Sequence, residues 1–164
     1  MLFRSRHRRI GRTARHAVAA DRKVLRRLPD AGTHGDFHPF NVVFGDGLEL
    51  TTLDASRGCR GDPADDVTAM AINYLFFAVD SPGAWSGGLR QLWYRFWQGY
   101  LEQTGDRELL SVAAPFLAWR ALVVCNPRFY PNLSERGRAA LLGLALRALA
   151  APRFDVEAAE GLCS

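Results

Sequence analysis

The sequence predicts an α+β protein that is mainly α-helical and contains one small β-hairpin. Apolar side chains recur at helical spacing through most of residues 64–150. Residues 40–44 and 48–53 are instead short runs rich in β-branched and aromatic side chains, and they flank a Gly-Asp-Gly turn signal at 45–47. The chain has 164 residues, 48% of them hydrophobic, which is enough for one domain with a real core.

The hairpin brings two polar residues together at its open end. A turn centred on residues 46–47 places Asn41 opposite Thr52 or Leu53, so Asp54 emerges beside Asn41. Directly opposed side chains lie about 5 Å apart at Cβ. An amide oxygen and a carboxylate at this separation are typical ligands of Mg²⁺ that also keeps water and phosphate oxygens.

A third polar residue, Asp36, lies five residues before Asn41, in the loop that leads into the hairpin. A carboxylate at this position could orient a substrate hydroxyl and accept its proton as a phosphoryl group is transferred. Asp36, Asn41 and Asp54 together therefore indicate phosphoryl transfer.

The motif HGDFHPFN at residues 34–41, followed by Asp54 and by GDPADDV at residues 61–67, resembles the aminoglycoside phosphotransferase family. That family is related to choline kinases and, more distantly, to protein kinases. The resemblance implies the C-terminal catalytic lobe of a protein kinase-like fold, with the hairpin carrying the metal site. It also implies that the chain transfers the γ-phosphoryl group of ATP, with Mg²⁺, to a hydroxyl of a small molecule such as an aminoglycoside or another amino alcohol.

The same resemblance assigns roles to individual residues. Asp36 corresponds to the catalytic base, and His38 stands near the transferred phosphate, where protein kinases keep a lysine. Asn41 and Asp54 correspond to the ligands of the Mg²⁺ that accompanies ATP, Asp54 being the counterpart of the kinase D-F-G aspartate. Asp66 corresponds to a residue that reaches back to hold the catalytic loop.

Several of these residues also have purely structural interpretations. His34 and His38, four residues apart, could be metal ligands, but no helical pattern and no third His or Cys accompany them. We therefore expect His34 to pack inside and brace the loop. Asp62 followed by Pro63 is typical of a helix N-cap and first helical position. Asp65 suits the first turn of that helix, and for Asp62 and Asp65 we prefer this supporting role.

The first thirty residues carry ten basic and two acidic side chains, a local net charge of +8, whereas residues 31–164 carry −4. A basic, arginine-rich segment can indicate nucleic-acid binding, a membrane surface or a transit peptide. Apolar residues recur within it at the spacing of one helical face. We therefore predict a basic helical lead-in over residues 1–30 and expect neither a nucleic-acid nor a membrane partner.

We expect the catalytic lobe to span residues 31–151 and a mobile tail to follow over 152–164. No Gly-rich phosphate loop precedes His34, and the only lysine, Lys23, lies in a segment of helical character. The N-terminal nucleotide-binding lobe of the family is thus not expected in this chain, whether through a misplaced start, a frameshift or a natural half-protein completed by another polypeptide. We therefore expect weak or no turnover of ATP by this chain alone. The alternative is a non-catalytic remnant or a partner-binding half-kinase.

The remaining signals concern the helices and the cellular compartment. Helices are predicted over 64–79, 86–103, 107–125 and 134–150, and the aromatic stripe of the second is interpreted as core rather than as a base- or sugar-binding face. Acceptor contacts are expected between Trp119 and Tyr130. Three widely spaced cysteines support neither zinc nor disulfides, and with no secretory signal or apolar run of about eighteen residues they indicate a cytoplasmic protein.

Overall fold

A computed structural model describes residues 31–81 and 83–162 of the chain. The predicted lead-in over residues 1–30 lies outside the described residues. The described chain is mainly helical and includes a small two-stranded hairpin, as the sequence predicts. Its strands are β1 (Ala31–Thr33), β2 (Val42–Phe44), β3 (Leu50–Thr52) and β4 (Cys59–Gly61), and its helices are α1 (Ala64–Val79), α2 (Arg90–Thr104), α3 (Leu109–Val124) and α4 (Glu135–Ala150).

Strands β2 and β3 form the predicted antiparallel hairpin. Val42 is opposite Thr52, and one step further out the backbone N–H of Leu53 donates to the carbonyl oxygen of Asn41 at 2.9 Å. Of the two predicted partners of Asn41, the structure therefore has Leu53. The turn passes through Gly47, whose φ of 74° is left-handed and easily adopted by glycine.

A second strand pair, β1 with β4, was not predicted. Ala31 pairs with Gly61 and Thr33 with Cys59 in an antiparallel register. Each strand has only three residues, and their sequences lack the alternation of polar and apolar residues that reveals a longer strand. This pairing brings the loop that follows Thr33 close to the start of α1.

Helix α1 is the central element of the helical core and packs against α3, α4 and α2. It is buried on nearly every side, and its buried side chains include those of Ile72 and Leu75. Its two buried polar side chains, Thr68 and Asn73, each donate at 2.7 Å to a backbone carbonyl four residues earlier. Because these groups are satisfied within the helix, α1 can enter the core without an unpaired polar atom at these positions.

The aromatic stripe of α2 belongs to the core. Trp93 and Trp97 are 0% and 1% exposed, and their ring centroids are 5.6 Å apart. Phe154, beyond the end of α4, packs on Trp97 at 5.2 Å. The core interpretation of these two tryptophans is therefore the one that the structure supports.

The sequence predicts a mobile tail over 152–164, whereas the described part of it, up to Leu162, packs against the helices. The N–H of Phe154 donates to the carbonyl oxygen of Leu110 at 2.7 Å, and the Phe154 side chain is 3% exposed. Glu160 accepts hydrogen bonds from Arg90 Nε at 2.6 Å and from the Tyr94 hydroxyl at 2.7 Å. The polar composition of the segment predicted mobility, but two of its residues, Phe154 and Glu160, hold it against the helices.

The observed helix bounds lie close to the predicted ones. The second helix begins at Arg90 because Trp85–Leu89 forms a wider π-type turn, in which Gly88 has a φ of 148°. Pro115 is tolerated inside α3, and Ser134 caps α4 by accepting the N–H of Gly137 at 2.9 Å. None of the helices in the described ranges combines the length and apolar character that a membrane crossing requires.

Candidate active site

The loop of residues 34–36 is held by the first turn of α1. Asp66 accepts the backbone N–H of His34 at 2.6 Å through Oδ2 and that of Gly35 at 2.9 Å through Oδ1. Hydrogen bonds to an ionised carboxylate are shorter and stronger than neutral ones. Two of them from one side chain fix the direction in which the 34–36 loop leaves β1.

His34 connects this loop to the end of the hairpin. Its Nε2 donates to the carbonyl oxygen of Leu53 at 2.8 Å, and its Nδ1 accepts the N–H of Asp36 at 3.4 Å. A neutral imidazole has one donor and one acceptor nitrogen, so one tautomer satisfies both bonds. The structure thus places His34 as a brace between the 34–36 loop and the residue that precedes Asp54.

Gly35 allows a close approach that no other residue permits. Its φ of 79° is left-handed, and a Cβ at this position would lie 2.5 Å from the carbonyl oxygen of Arg57. Real Cβ atoms essentially never approach an atom so closely. The glycine therefore lets the 34–36 loop lie directly against the Ala55–Arg57 turn.

The carboxylate of Asp36 lies between two guanidinium groups. Oδ1 is 3.3 Å from Nη1 of Arg120, and Oδ2 is 3.2 Å from Nη1 of Arg57. His38 Nε2 is 3.9 Å from the same Oδ2. The side chain of Asp36 is 21% exposed, which leaves a path from solvent to this carboxylate.

Asn41 is bonded to the same loop through its amide group. Its Nδ2 donates to the carbonyl oxygen of Asp36 at 3.0 Å and lies 3.3 Å from Nε2 of His38. Because the amide nitrogen is turned toward the loop, the amide oxygen is the atom that can coordinate a cation. Asn41 also pairs through its backbone with Leu53, the neighbour of Asp54.

Asp54 has an unusual backbone. With φ and ψ both 52°, it is the one non-glycine residue with a positive φ in the ranges that the structure describes. The left-handed region is disfavoured for residues that carry a Cβ, and such strain is concentrated at functional sites. The conformation turns the chain out of β3 into the Ala55–Arg57 turn.

The Asp54 carboxylate is exposed and readily ionised. Ser56 donates its hydroxyl to Oδ1 at 2.6 Å. This side-chain bond is the largest cause that lowers the pKa of Asp54 from its ordinary value of 3.8; desolvation acts in the opposite direction, and the Ser56 N–H and Arg57 add smaller lowering effects. At neutral pH Asp54 therefore carries its full negative charge.

Arg120 lies within the 119–130 range predicted for acceptor contacts, but its contact with Asp36 was missed by the sequence interpretation. It is buried in α3, and its Nη2 donates to Asp65 Oδ1 at 2.9 Å and to the carbonyl oxygen of Gly35 at 3.2 Å, while Nη1 reaches Asp36. One signal could have revealed it, because Arg120 is the only charged residue of α3. A single charge in a buried helix needs a carboxylate partner.

Asp62 and Asp65 have different environments. Asp62 is 6% exposed, and its Oδ1 accepts the N–H of Ala64, the first residue of α1, at 2.9 Å, which satisfies one of the free N–H groups at the helix start although Pro63 holds the N-cap position. Asp65 lies in the first turn of α1, as predicted, but it also forms the ion pair with Arg120. The supporting role expected for Asp65 thus has a partner that the sequence did not indicate.

The donor set suits a cation that is only partly enclosed by protein. Within the described ranges no group of three or more His, Cys, Asp or Glu side chains is arranged to hold a metal ion. Asn41 and Asp54 would contribute one amide oxygen and one carboxylate. Mg²⁺ in nucleotide sites typically takes one or two protein carboxylates together with water and phosphate oxygens, so the residues present fit that ion.

The structure thus brings most of the predicted residues into one cluster at the start of α1. His34, Asp36, His38 and Asn41 are joined by hydrogen bonds or close contacts, and Asp66 anchors their loop. Asp62 makes its hydrogen bond within the start of the helix instead. Compared with known proteins, this chain matches no protein-family model, no curated protein and no solved structure.

Proposed function

We propose that the chain is the catalytic lobe of a Mg²⁺- and ATP-dependent phosphotransferase with a protein kinase-like fold, similar to the aminoglycoside phosphotransferases. One observation carries the proposal. The bond from Asn41 Nδ2 to the carbonyl oxygen of Asp36 joins the residue proposed as the metal ligand to the residue proposed as the base. Phosphoryl transfer needs these two functions at one place, because catalysis is mainly positioning and charge stabilisation.

In the proposed reaction the hydroxyl oxygen of the acceptor attacks the γ-phosphorus of ATP. An O–P bond forms, the bond from the γ-phosphorus to the oxygen that bridges to the β-phosphate breaks, and ADP leaves. The hydroxyl proton passes to the carboxylate of Asp36. Bound through Asn41 and Asp54, Mg²⁺ would neutralise charge on the phosphates.

For the acceptor we propose a small cationic amino alcohol. Residues 31–164 carry a net charge of −4, which favours cations over anions. The surface of α3 and the loop after it exposes Trp119 and Phe129, which are 60% and 62% exposed. Exposed aromatic faces can bind ammonium groups. A cytoplasmic enzyme is the setting that we propose for this chemistry.

The second candidate is a half-kinase that keeps the site but needs a separate polypeptide for nucleotide binding. One observation favours it. The hairpin next to Asp54 exposes apolar side chains, with Phe44 at 65% and Leu50 at 53% exposure. Exposed apolar surface of this kind is typical of interaction sites.

Calorimetric titration of the purified chain with ATP, with and without Mg²⁺, tests the metal site. We expect binding that requires Mg²⁺ and that weakens at least about 10-fold in Asp54→Asn, because a carboxylate ligand is lost. Asp46→Asn is the matched control, since Asp46 lies in the turn at the opposite end of the hairpin. Binding that ignores Mg²⁺, or that weakens equally in both variants, would contradict the proposal.

Turnover distinguishes an active lobe from the half-kinase. If the lobe is competent, ATP-dependent phosphorylation of an amino alcohol such as choline or an aminoglycoside should be slow and should fall by about 10²- to 10⁴-fold in Asp36→Asn, because the base is removed. Phosphorylation is measured as the transfer of radiolabel from γ-labelled ATP to the acceptor. Turnover that persists in Asp36→Asn would show that Asp36 is not the base, and Mg²⁺-dependent binding without turnover would favour the half-kinase.

A further inference from the structure

Arg120 is the one residue of α3 that reaches the candidate active site through a charged group. It lies 84 positions after Asp36 in the sequence, and its side chain is 10% exposed. Burying a guanidinium is costly unless its N–H groups find hydrogen-bond acceptors, and Arg120 satisfies Nη1 and Nη2, whereas its Nε has no partner in the described part of the chain. The acceptors that Arg120 finds all belong to the 34–36 loop or to the first turn of α1.

The three contacts of Arg120 define one orientation of the guanidinium. Nη2 is bound at 2.9 Å by Asp65 Oδ1 and at 3.2 Å by the carbonyl oxygen of Gly35. The guanidinium is planar and rigid, so fixing Nη2 at two acceptors also fixes the direction of Nη1. Nη1 points at Oδ1 of Asp36.

The two oxygens of Asp36 therefore have unequal partners. Oδ1 faces Arg120, whose side chain is 10% exposed and held at two other points. Oδ2 faces Arg57, whose side chain is 69% exposed and can move into solvent at little cost. One oxygen is anchored by the core, and the other is on the accessible side.

We propose that Arg120 is a positioning residue for Asp36: it anchors Oδ1 and so presents Oδ2 to the acceptor hydroxyl. This rests on the proposed function, in which Asp36 takes the hydroxyl proton. Arg120 touches no reacting atom. Its effect is to limit the rotation of the Asp36 carboxylate and the movement of the backbone at Gly35.

The test replaces Arg120 by lysine, which keeps the positive charge but cannot span three acceptors. Arg138→Lys is the matched control, because Arg138 is a half-buried arginine that, like Arg120, donates to backbone carbonyl oxygens, those of Cys125 and Tyr130, away from the 34–36 loop. Asp65→Asn is a second variant, which keeps the guanidinium and weakens one of its three contacts.

The first measurement does not depend on activity. Amide hydrogen exchange at Gly35 and Asp36 should become about 10-fold faster in Arg120→Lys and should change in the same direction, but less, in Asp65→Asn. Arg138→Lys should leave these two amides unchanged. Equal exchange in Arg120→Lys and the wild-type chain would overturn the proposal.

The second measurement separates positioning from general stability. In Arg120→Lys we expect kcat to fall by about 100-fold while KM and the affinity for Mg²⁺-ATP stay within about 2-fold, because misplacing a base affects the chemical step. Equal loss in Arg138→Lys, or a rise in KM alone, would overturn the proposal. If the wild-type chain binds Mg²⁺-ATP but shows no turnover, the half-kinase is favoured, and the exchange experiment still decides whether Arg120 holds Asp36.

Discussion

Gly35 and Asp54 both have left-handed backbones, and both lie at the contact between the 34–36 loop and the Ala55–Arg57 turn. For Gly35 this conformation costs little, and the missing Cβ is what allows the carbonyl oxygen of Arg57 to approach. Asp54 carries a Cβ in the same region of conformational space, which aspartate enters more readily than most residues. Its backbone turns the chain at the point where the proposed metal ligand leaves β3.

Replacing Gly35 by alanine tests the importance of this contact. The added Cβ would lie 2.5 Å from Arg57 O at a φ of 79°, so we expect the free energy of unfolding to fall by about 1–3 kcal/mol. Gly32→Ala is the control, because no atom lies within 4 Å of a Cβ built there, and it should change stability by about 0.5 kcal/mol or less. Urea unfolding measures both, and equal stabilities of the two variants would contradict this account of the loop.

At the scale of elements, local patterns predicted more than distant pairings. The hairpin and the four helices follow from runs of β-branched and aromatic residues, helical spacing and turn residues, all of which act over a few positions. The pairing of β1 with β4 spans 26 positions between Thr33 and Cys59, and no local pattern encodes it. The contact of Arg120 with Asp36 spans 84 positions and was missed for the same reason.

The segment after α4 is an element whose stability should depend on pH. The hydrogen bond from the Tyr94 hydroxyl is the largest cause that lowers the pKa of Glu160 from its ordinary value of 4.5, and the donors Arg90 and Trp85 contribute less. A carboxyl group with a lowered folded-state pKa stabilises the fold above its unfolded value, and this contribution is lost as the pH falls through the folded value. Desolvation is the main cause that raises the pKa of Tyr94 to about 12, and the hydrogen bond between Tyr94 and Glu160 is the second.

We therefore expect Glu160→Gln to be less stable than the wild-type chain at pH 7. Below pH 4.5 the variant should lose less stability with falling pH than the wild-type chain does. Glu157→Gln is the control on the same turn, and it should behave like the wild type. The measurement is urea unfolding at several pH values. Unfolding is monitored by the fluorescence of Trp93 and Trp97, which pack on Phe154. A Glu160→Gln variant with the wild-type pH profile would show that this carboxylate does not hold the segment.

At the scale of the whole molecule, α1 connects the candidate active site to the rest of the core. Asp66 near its start binds the 34–36 loop, and Asp80 just after its end accepts the N–H of Ser134 at 2.6 Å, next to α4. A helix of 16 residues is about 24 Å long. Asp66 holds the 34–36 loop near its first residue, and the ring of Phe40, the neighbour of Asn41, lies 6.1 Å from that of Phe77 in its last turn, so the site extends along α1.

The central claim is that Asn41 and Asp54 bind the metal of a metal–nucleotide complex, and amide spectra of the labelled chain with Mn²⁺-ATP test it most directly. Mn²⁺ replaces Mg²⁺ at oxygen ligands and broadens the signals of nearby nuclei. We expect the amide signals of Asn41, Asp54 and Ser56 to broaden first in the wild-type chain, and to stay sharp at the same Mn²⁺-ATP concentration in Asp54→Asn. Absence of broadening at Asn41 and Asp54, or equal broadening in Asp54→Asn, would contradict the account.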